Sequence, residues 1–474
     1  MADDELYRMT AVQAVQHLRD GQVSPLELVE AAIERIEAVD ARLNALPTRC
    51  FERARAHARA LMNGGGDSPH AAHWLGGLPI AVKDLVDVAG VRTTYGSPIY
   101  AEHVPTRSDL LVERLEANGA IVIAKSNTPE FGAGASTFNE VFGKTCNPWD
   151  VGKSVAGSSG GSAAALASGQ VWLATGSDLG GSLRLPASFN AVLGLRPSPG
   201  CVARGPELEP FSTLAVEGPM ARTAADLALM LDAMSGAHPC DPLAVPAPAH
   251  AYARQMRETH PARRIGFSAD LGLSVVDGEV AALCAQAATR LASACDAELV
   301  EEVPDLSGAQ DCFQTLRAAG YAANHSDTLA RHRAQLKPEV VWNIEKGLTL
   351  TAAQIGAAEH VRGRLVQNTG EYFQRCDLLV CPTAIVPPFD VDVRYVEQVG
   401  EHRFDNYVDW MTLTYAISLL GCPALSAPAG FTAGGLPIGL QIVGPPRGEG
   451  RVLAAAQALE TATGIALRLP IDPR

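Results

Sequence analysis

From Leu78 onward the chain alternates short apolar runs with amphipathic stretches, and that rhythm narrows its fold more than any other feature. "LPIAV" leads into "SDLLVERLEANG", then "AIVIA", and later "VWLAT". Ser108 is placed to cap the first helix and Gly119 to end it. Strand, helix, strand at this spacing predicts crossover units, hence an α/β fold with a central mixed, mostly parallel β-sheet sandwiched by helices. Ahead of it, "SPLELVEAAIERIEAVDARLNAL" offers Ser24 as N-cap, Pro25 in the first turn and Glu27 closing a capping box. Leu28, Ala32, Ile36 and Val39 follow at helical spacing. A second helix, Ala54 to Met62, ends at "NGGGDSP". The expected division is a helical region over 1–75 that packs on an α/β region over 76–474. Within the latter, the Pro- and Ala-rich "HPCDPLAVPAPAHAYARQMRETHPARR" opens a less regular segment, about 240–376, that includes a helix from Val280 to Ala294. The sheet pattern returns in "CDLLVCPTAIVPP" and "ALSAPAGFTAGGLPIGLQIVGPP", the latter a hairpin turning at Gly434–Gly435.

Composition removes several function classes. With 474 residues, 47% hydrophobic and 19% charged, the chain has material for one large folded domain or two ordinary ones. A net charge of −14, without any Lys/Arg run, opposes binding to nucleic acid or an anionic membrane. Trp410 to Pro446 carries no charge, yet Gly421, Pro423, Pro428 and Gly430 interrupt it before a membrane span is complete. The start "MADDELYRMT" has no basic segment followed by an apolar one, so a cytoplasmic protein is expected. Ten cysteines lie outside any metal-binding spacing, which predicts buried thiols and no structural zinc.

The stretch "VAGSSGGSAAALASGQVWLATGSDLGGSLRLPAS", Val155 to Ser188, concentrates glycine and serine with only Asp178 and Arg184 charged. It meets neither the Walker pattern nor the dinucleotide fingerprint. Gly157 to Gly161 formally fits G-x-S-x-G around Ser159, but "NPWDVGKSVA" before it is not the strand that a nucleophile elbow requires. Spacing offers another arrangement. One crossover, "GSAAALASG" then "VWLAT", can return Ser182 beside Ser158, with the N–H groups of Leu179, Gly180, Gly181 and Ser182 converging on a point. For a base, Lys83 ends the apolar run "GGLPIAVKDLVDV", where burial lowers an amine's pKa. An ion pair of Lys83 with Asp84 or Asp87 explains the same residue equally well.

These segments, with "AKSNTPEFGAG", "CDLLVCPT" and "GCPALSAPAGFTAGGLPIGLQIVG", resemble the amidase signature family of serine hydrolases over most of Leu78 to Gly200 and again from about Cys376 to the end. The resemblance implies one large amidase domain and a Ser–cisSer–Lys triad: Ser182 as nucleophile, Ser158 as the bridging serine after a cis peptide bond with Gly157, and Lys83 as base. It implies an oxyanion hole from Leu179, Gly180 and Gly181, a structural role for Lys125, and no metal or organic cofactor. Phe131 and Gly132 follow a site-lining motif and are expected to contact substrate. Where relatives read G-T-D-T-G-G-S-I-R, this chain has Ser177, Leu179 and Leu183, and Asn190 replaces a frequent cysteine.

One branch, the A subunit of glutamyl-tRNA amidotransferase, holds the glutamine carboxylate with arginine in a segment resembling "PEVVWNIEKG". Trp342 and Asn343 stand there instead. The resemblance therefore favours hydrolysis of neutral small or aryl amides, with carbamates (urethanes) and esters sharing the same tetrahedral chemistry; the amidotransferase role is the alternative. The partner expected is a small-molecule amide or carbamate. The amphipathic N-terminal helices offer a surface for a homodimer if they do not pack on their own sheet.

Overall fold

The N-terminal helices α1 (Ala11–Arg19), α2 (Pro25–Leu43) and α3 (Phe51–Met62) open a computed structural model that describes residues 6–64, 71–206 and 208–474. The capping box forms: Glu27 N–H donates to Ser24 Oγ at 3.2 Å and Ser24 N–H to Glu27 Oε2 at 2.7 Å. Leu28, Ala32, Ile36 and Val39 are all buried, in one hydrophobic cluster with the first long strands. The chain's own core thus covers the apolar face of α2.

Eleven strands make one sheet: β1 (Thr48–Arg49), β2 (Pro79–Lys83), β3 (Ile121–Ser126), β4 (Leu173–Asp178), β5 (Leu193–Arg196), β6 (Val216–Ala221), β7 (Arg264–Phe267), β8 (Glu298–Val300), β9 (Leu378–Pro382), β10 (Ala424–Phe431) and β11 (Pro437–Val443). Their order is β1-β3-β2-β4-β6-β5-β10-β11-β9-β7-β8. Parallel pairing joins β3, β2 and β4 at one side and β8, β7 and β9 at the other. The middle is antiparallel, because β6 returns against both β4 and β5, and the β10–β11 hairpin inserts between β5 and β9. That hairpin turns as expected, with Gly435 at φ +79°.

Helices cover both faces. One hydrophobic cluster takes in α2, α5 (Gly160–Ala167), α7 (Ala224–Met234), α9 (Gly278–Ala294) and α14 (Glu449–Thr463). A second takes in α6 (Arg184–Asn190), α10 (Ala309–His332), α12 (Ala352–Tyr372) and α13 (Thr412–Leu419). Along β9, Leu378 and Val380 enter the first cluster and Leu379 and Cys381 the second, as the pleat requires. Short helices α4 (Leu110–Ala117) and α8 (Tyr252–Glu258), and α11 (Pro338–Leu348) beside α10, complete the layers. Ser108 does not cap α4: its hydroxyl accepts from Ala89 N–H at 2.9 Å, and Asp109 takes the N-cap position. The uncharged stretch from Trp410 becomes α13, β10 and β11, and among the described residues no helix is long and apolar enough to cross a membrane.

Candidate active site

Register brings the serines to the lysine. β2 and β4 run parallel, with Ile80 opposite Leu173 and Ala81 opposite Ala174, so Lys83 and Ser177 lie at the same sheet end. α5 leads back into β4, which sets its first turn, and Ser158 and Ser159 before it, at that end as well. Lys83 Nζ lies 2.7 Å from Ser158 Oγ and 2.9 Å from both Ser159 Oγ and Ser177 Oγ. Ser159 N–H donates to the Ser182 carbonyl at 3.1 Å, which fastens the Ser182 turn beside the cluster. The Gly157–Ser158 peptide bond is cis.

Burial pushes the Lys83 amine down to about 7, against the opposing charges of Glu217 and Asp178. Among the described residues no carboxylate pairs with it, and Asp84 belongs to the other buried lysine. Lys125 Nζ lies 3.1 Å from Asp84 Oδ1 and donates to Val86 O and Thr93 Oγ1 at 2.8 Å each. Asp87 instead accepts from Tyr95 Oη at 2.7 Å. A neutral amine suits three hydroxyls: two accept its N–H groups and the third donates to its lone pair. Ser159 Oγ has an acceptor of its own in Ser177 O, at 3.4 Å, which leaves the hydroxyls of Ser158 and Ser177 to give a proton to nitrogen, Ser158 at the shorter distance.

Leu179 to Gly181 form the turn between β4 and Ser182. Among the described residues, the N–H groups of Leu179 and Gly180 have no protein acceptor. Gly181 N–H donates to Asp178 Oδ1 at 2.9 Å. Asp178 also accepts from Leu183 N–H at 3.2 Å, from Arg184 Nε and Nη2 at 2.9 and 2.8 Å, and from Arg196 Nη1 at 3.3 Å. Burial alone would raise this carboxyl. The charges of Arg184 and Arg196 and the bonds to its oxygens outweigh burial and hold it well below the usual carboxylate range. Thr414 Oγ1, from α13, donates to Gly180 O at 2.7 Å and fixes the turn from its other side.

A cleft of about 600 Å³ opens on this turn, with Leu179, Phe131, Arg317, Tyr321 and His325 among its walls. Phe131 sits in the left-handed region at φ 47° and its carbonyl accepts from Tyr321 Oη at 3.1 Å. At Gly132 a Cβ would lie 3.4 Å from Ser158 Oγ, so this glycine leaves room beside the Ser158 hydroxyl. Asn343 is buried and accepts from Arg317 Nε at 3.3 Å. Trp342 faces a second cavity, of about 900 Å³, with Tyr407. Sequence reasoning singled out neither Ser159 and Ser177 as neighbours of the amine nor Thr414 and Arg317. The first two were recoverable from strand register. Thr414 and Arg317 lie on distant helices whose packing has no local signal.

A buried amine among hydroxyls at the end of a mixed sheet, with unpaired N–H groups and a cleft beside it, has the makings of a hydrolytic centre. Comparison with known proteins agrees. The Amidase family model matches residues 27–453. An acylamidase from Rhodococcus erythropolis is 32% identical over 480 residues, covering 100% of this chain and 99% of the relative. The A subunit of glutamyl-tRNA(Gln) amidotransferase from Moorella thermoacetica is 33% identical over 495 residues, 98% of this chain and 99% of the relative. A solved bacterial aryl acylamidase of the amidase signature family superposes with a TM-score of 0.89 at 27% identity, over 98% of this chain and 99% of that one. 6-Aminohexanoate cyclic dimer hydrolase in complex with substrate does so with a TM-score of 0.87, also at 27% identity and with the same coverage. The chain belongs to the amidase family, and it is a hydrolase of amide C–N bonds.

Proposed function

We propose that the chain hydrolyses small or aryl amides through an acyl-enzyme on Ser182, with Lys83 as base and Ser158 as the proton carrier between them. The supporting observation is the buried Lys83 amine, lowered to about 7, at 2.7 Å from Ser158 Oγ. Neutral Lys83 takes the proton of Ser158 as Ser158 takes that of Ser182, and the Ser182 oxygen adds to the amide carbonyl. N–H groups of Leu179 and Gly180 meet the charge that develops on the carbonyl oxygen. Gly181 N–H joins them to the extent that it turns from Asp178. As the C–N bond breaks, Ser158 returns a proton to the amine and is reprotonated by Lys83. Water then attacks the acyl carbon, the same relay removes its proton, and carboxylic acid and free Ser182 result. Carbamate and ester carbonyls pass through the same geometry and are accepted by the same groups.

The segment over about 240–376 supplies α10 and α12 to the cleft and in this reading sets substrate preference, while 1–75 covers the domain over 76–474. Ten free thiols suit a reducing, cytoplasmic setting. The amidotransferase alternative keeps one observation in its favour, the guanidinium of Arg317 in the cleft.

Labelling with a fluorophosphonate followed by peptide mapping tests the nucleophile. Modification at Ser182, lost in Lys83→Met, supports the scheme, and labelling elsewhere with Ser182 untouched removes it. A panel of p-nitroanilides, p-nitrophenyl carbamates and glutamine separates the substrate classes. Ammonia release from glutamine faster than anilide cleavage favours the alternative.

A further inference from the structure

α10 presents Phe313, Arg317, Tyr321 and His325 at four-residue intervals, one per turn on a single face. Its ends are pinned at the catalytic centre. A Cβ at Gly180 would meet Phe313 Cζ at 2.7 Å, Tyr321 Oη holds the Phe131 carbonyl, and the His325 ring packs on Phe131 with centroids 4.6 Å apart. Arg317 therefore stands one helical turn, about 5.4 Å, from the residue that touches the Leu179–Gly181 turn.

Arg317 is 5% exposed, and every partner it has is neutral. Nε donates to Asn343 Oδ1, and Nη2 donates to Tyr407 Oη at 2.8 Å and Tyr321 Oη at 3.4 Å. Among the described residues no carboxylate lies within ion-pair distance of it, and Nη1 has no hydrogen-bond partner. The buried Arg184 and Arg196, by contrast, share Asp178. A guanidinium stays charged in any protein setting, and charges out of water are normally paired. Here the unpaired edge belongs to a residue that lines the substrate cleft.

We propose that Arg317 binds a second carbonyl or carboxyl oxygen of the substrate, about one helical turn from the scissile amide. Asn343 and Tyr407 grip two edges of the planar fork, so the third keeps a fixed aim, as recognition of an sp² oxygen requires. The loss of positive charge at 342 and 343 in α11 is thereby offset by a charge from α10. This inference rests on the amidase reading of the same site.

The test uses three p-nitroanilides of equal acyl length, ending in methyl (pentanoyl), primary amide (glutaramoyl) or carboxylate (glutaryl). For the native protein kcat/KM is expected about tenfold or more above the pentanoyl value for at least one oxygen-ended substrate. The preferred arm identifies the group as neutral carbonyl or carboxylate. Arg317→Met is expected to erase the preference, bringing kcat/KM for the oxygen-ended anilides to that of the pentanoyl anilide. Arg317→Lys, which keeps charge but not the fork, retains part of a carboxylate preference and none of an amide one. Equal rates for all three substrates in the native protein, or an equal loss on all three in Arg317→Met, overturns the proposal. Calorimetric titration of glutaramoyl and glutaryl anilides into Ser182→Ala, with and without Arg317→Met, reads the arginine without turnover; a drop in affinity supports it and equal affinity overturns it. If the native protein cleaves none of the anilides, the amidase reading fails while this titration still decides the role of Arg317. Should Arg317→Met not fold, Arg317→Lys carries both measurements.

Discussion

In the proposed relay Lys83 works only while its amine is neutral, and burial favours that form by lowering its pKa to about 7. Because the folded protein holds this proton less tightly than the unfolded chain, whose lysines titrate near 10.4, Lys83 adds stability as pH rises from about 7 toward that value. Activity should follow the same group, with kcat/KM climbing through a single ionisation near pH 7 and flat above it. Glu217 holds the amine's pKa up by charge, so Glu217→Gln should move that limb to lower pH. An unmoved limb assigns it to another group. Lys83→Met should leave no measurable turnover, and Ser158→Ala should cost about 10²–10⁴-fold in kcat with unchanged circular dichroism. Near-normal rates in either variant would end the assignment. Much of this was legible in the chain itself: an amine closing an all-apolar run has few roles. Its company was less so, since Ser159 and Ser177 reach the nitrogen through strand register. The choice between base and ion pair needed the observation that Lys125 occupies Asp84.

Among the elements, α5 sits tightly against backbone. A Cβ at Gly161 would fall 2.4 Å from Asn127 N and 2.6 Å from Ala45 O, backbone atoms that cannot swing aside. Gly161→Ala should therefore destabilise the fold by about 1–3 kcal/mol, read from denaturant midpoints, and lower kcat as Ser158 shifts with the helix. The order of strands and helices was readable because period and capping are local properties: the box at Ser24 and the turn at Gly435 both form as expected. Antiparallel pairing in the sheet centre was not, since crossover counting is blind to a hairpin contributed from 200 residues away. Ser108 failed as a cap for a related reason, its hydroxyl being recruited by the neighbouring loop at Ala89. Arg317 was illegible altogether, because a guanidinium in a helix normally reads as surface until α11 and Tyr407 close over it.

At the scale of the molecule, Asp178 is the knot. Its carboxylate serves Gly181, Leu183, Arg184 and Arg196 together, and Arg184 reaches on to Gln441 Oε1, Ser418 Oγ and the Thr414 carbonyl. Asp178→Asn strands two buried guanidinium groups and should cost about 3–5 kcal/mol, measured by urea unfolding. A carboxyl held below its unfolded value stabilises the protein above roughly pH 4 and loses that contribution as acid titrates it. Acid unfolding should therefore begin earlier in Ser418→Ala, which removes an acceptor for Arg184 Nη2 and a donor to Asp178 Oδ1, than in the native protein. The same fastening has a consequence for biosynthesis. Because Thr414, Ser418 and Gln441 brace a loop made more than 200 residues earlier, a nascent polypeptide lacks the clamp until these residues have left the ribosome, and activity is expected only after the β10–β11 hairpin has emerged.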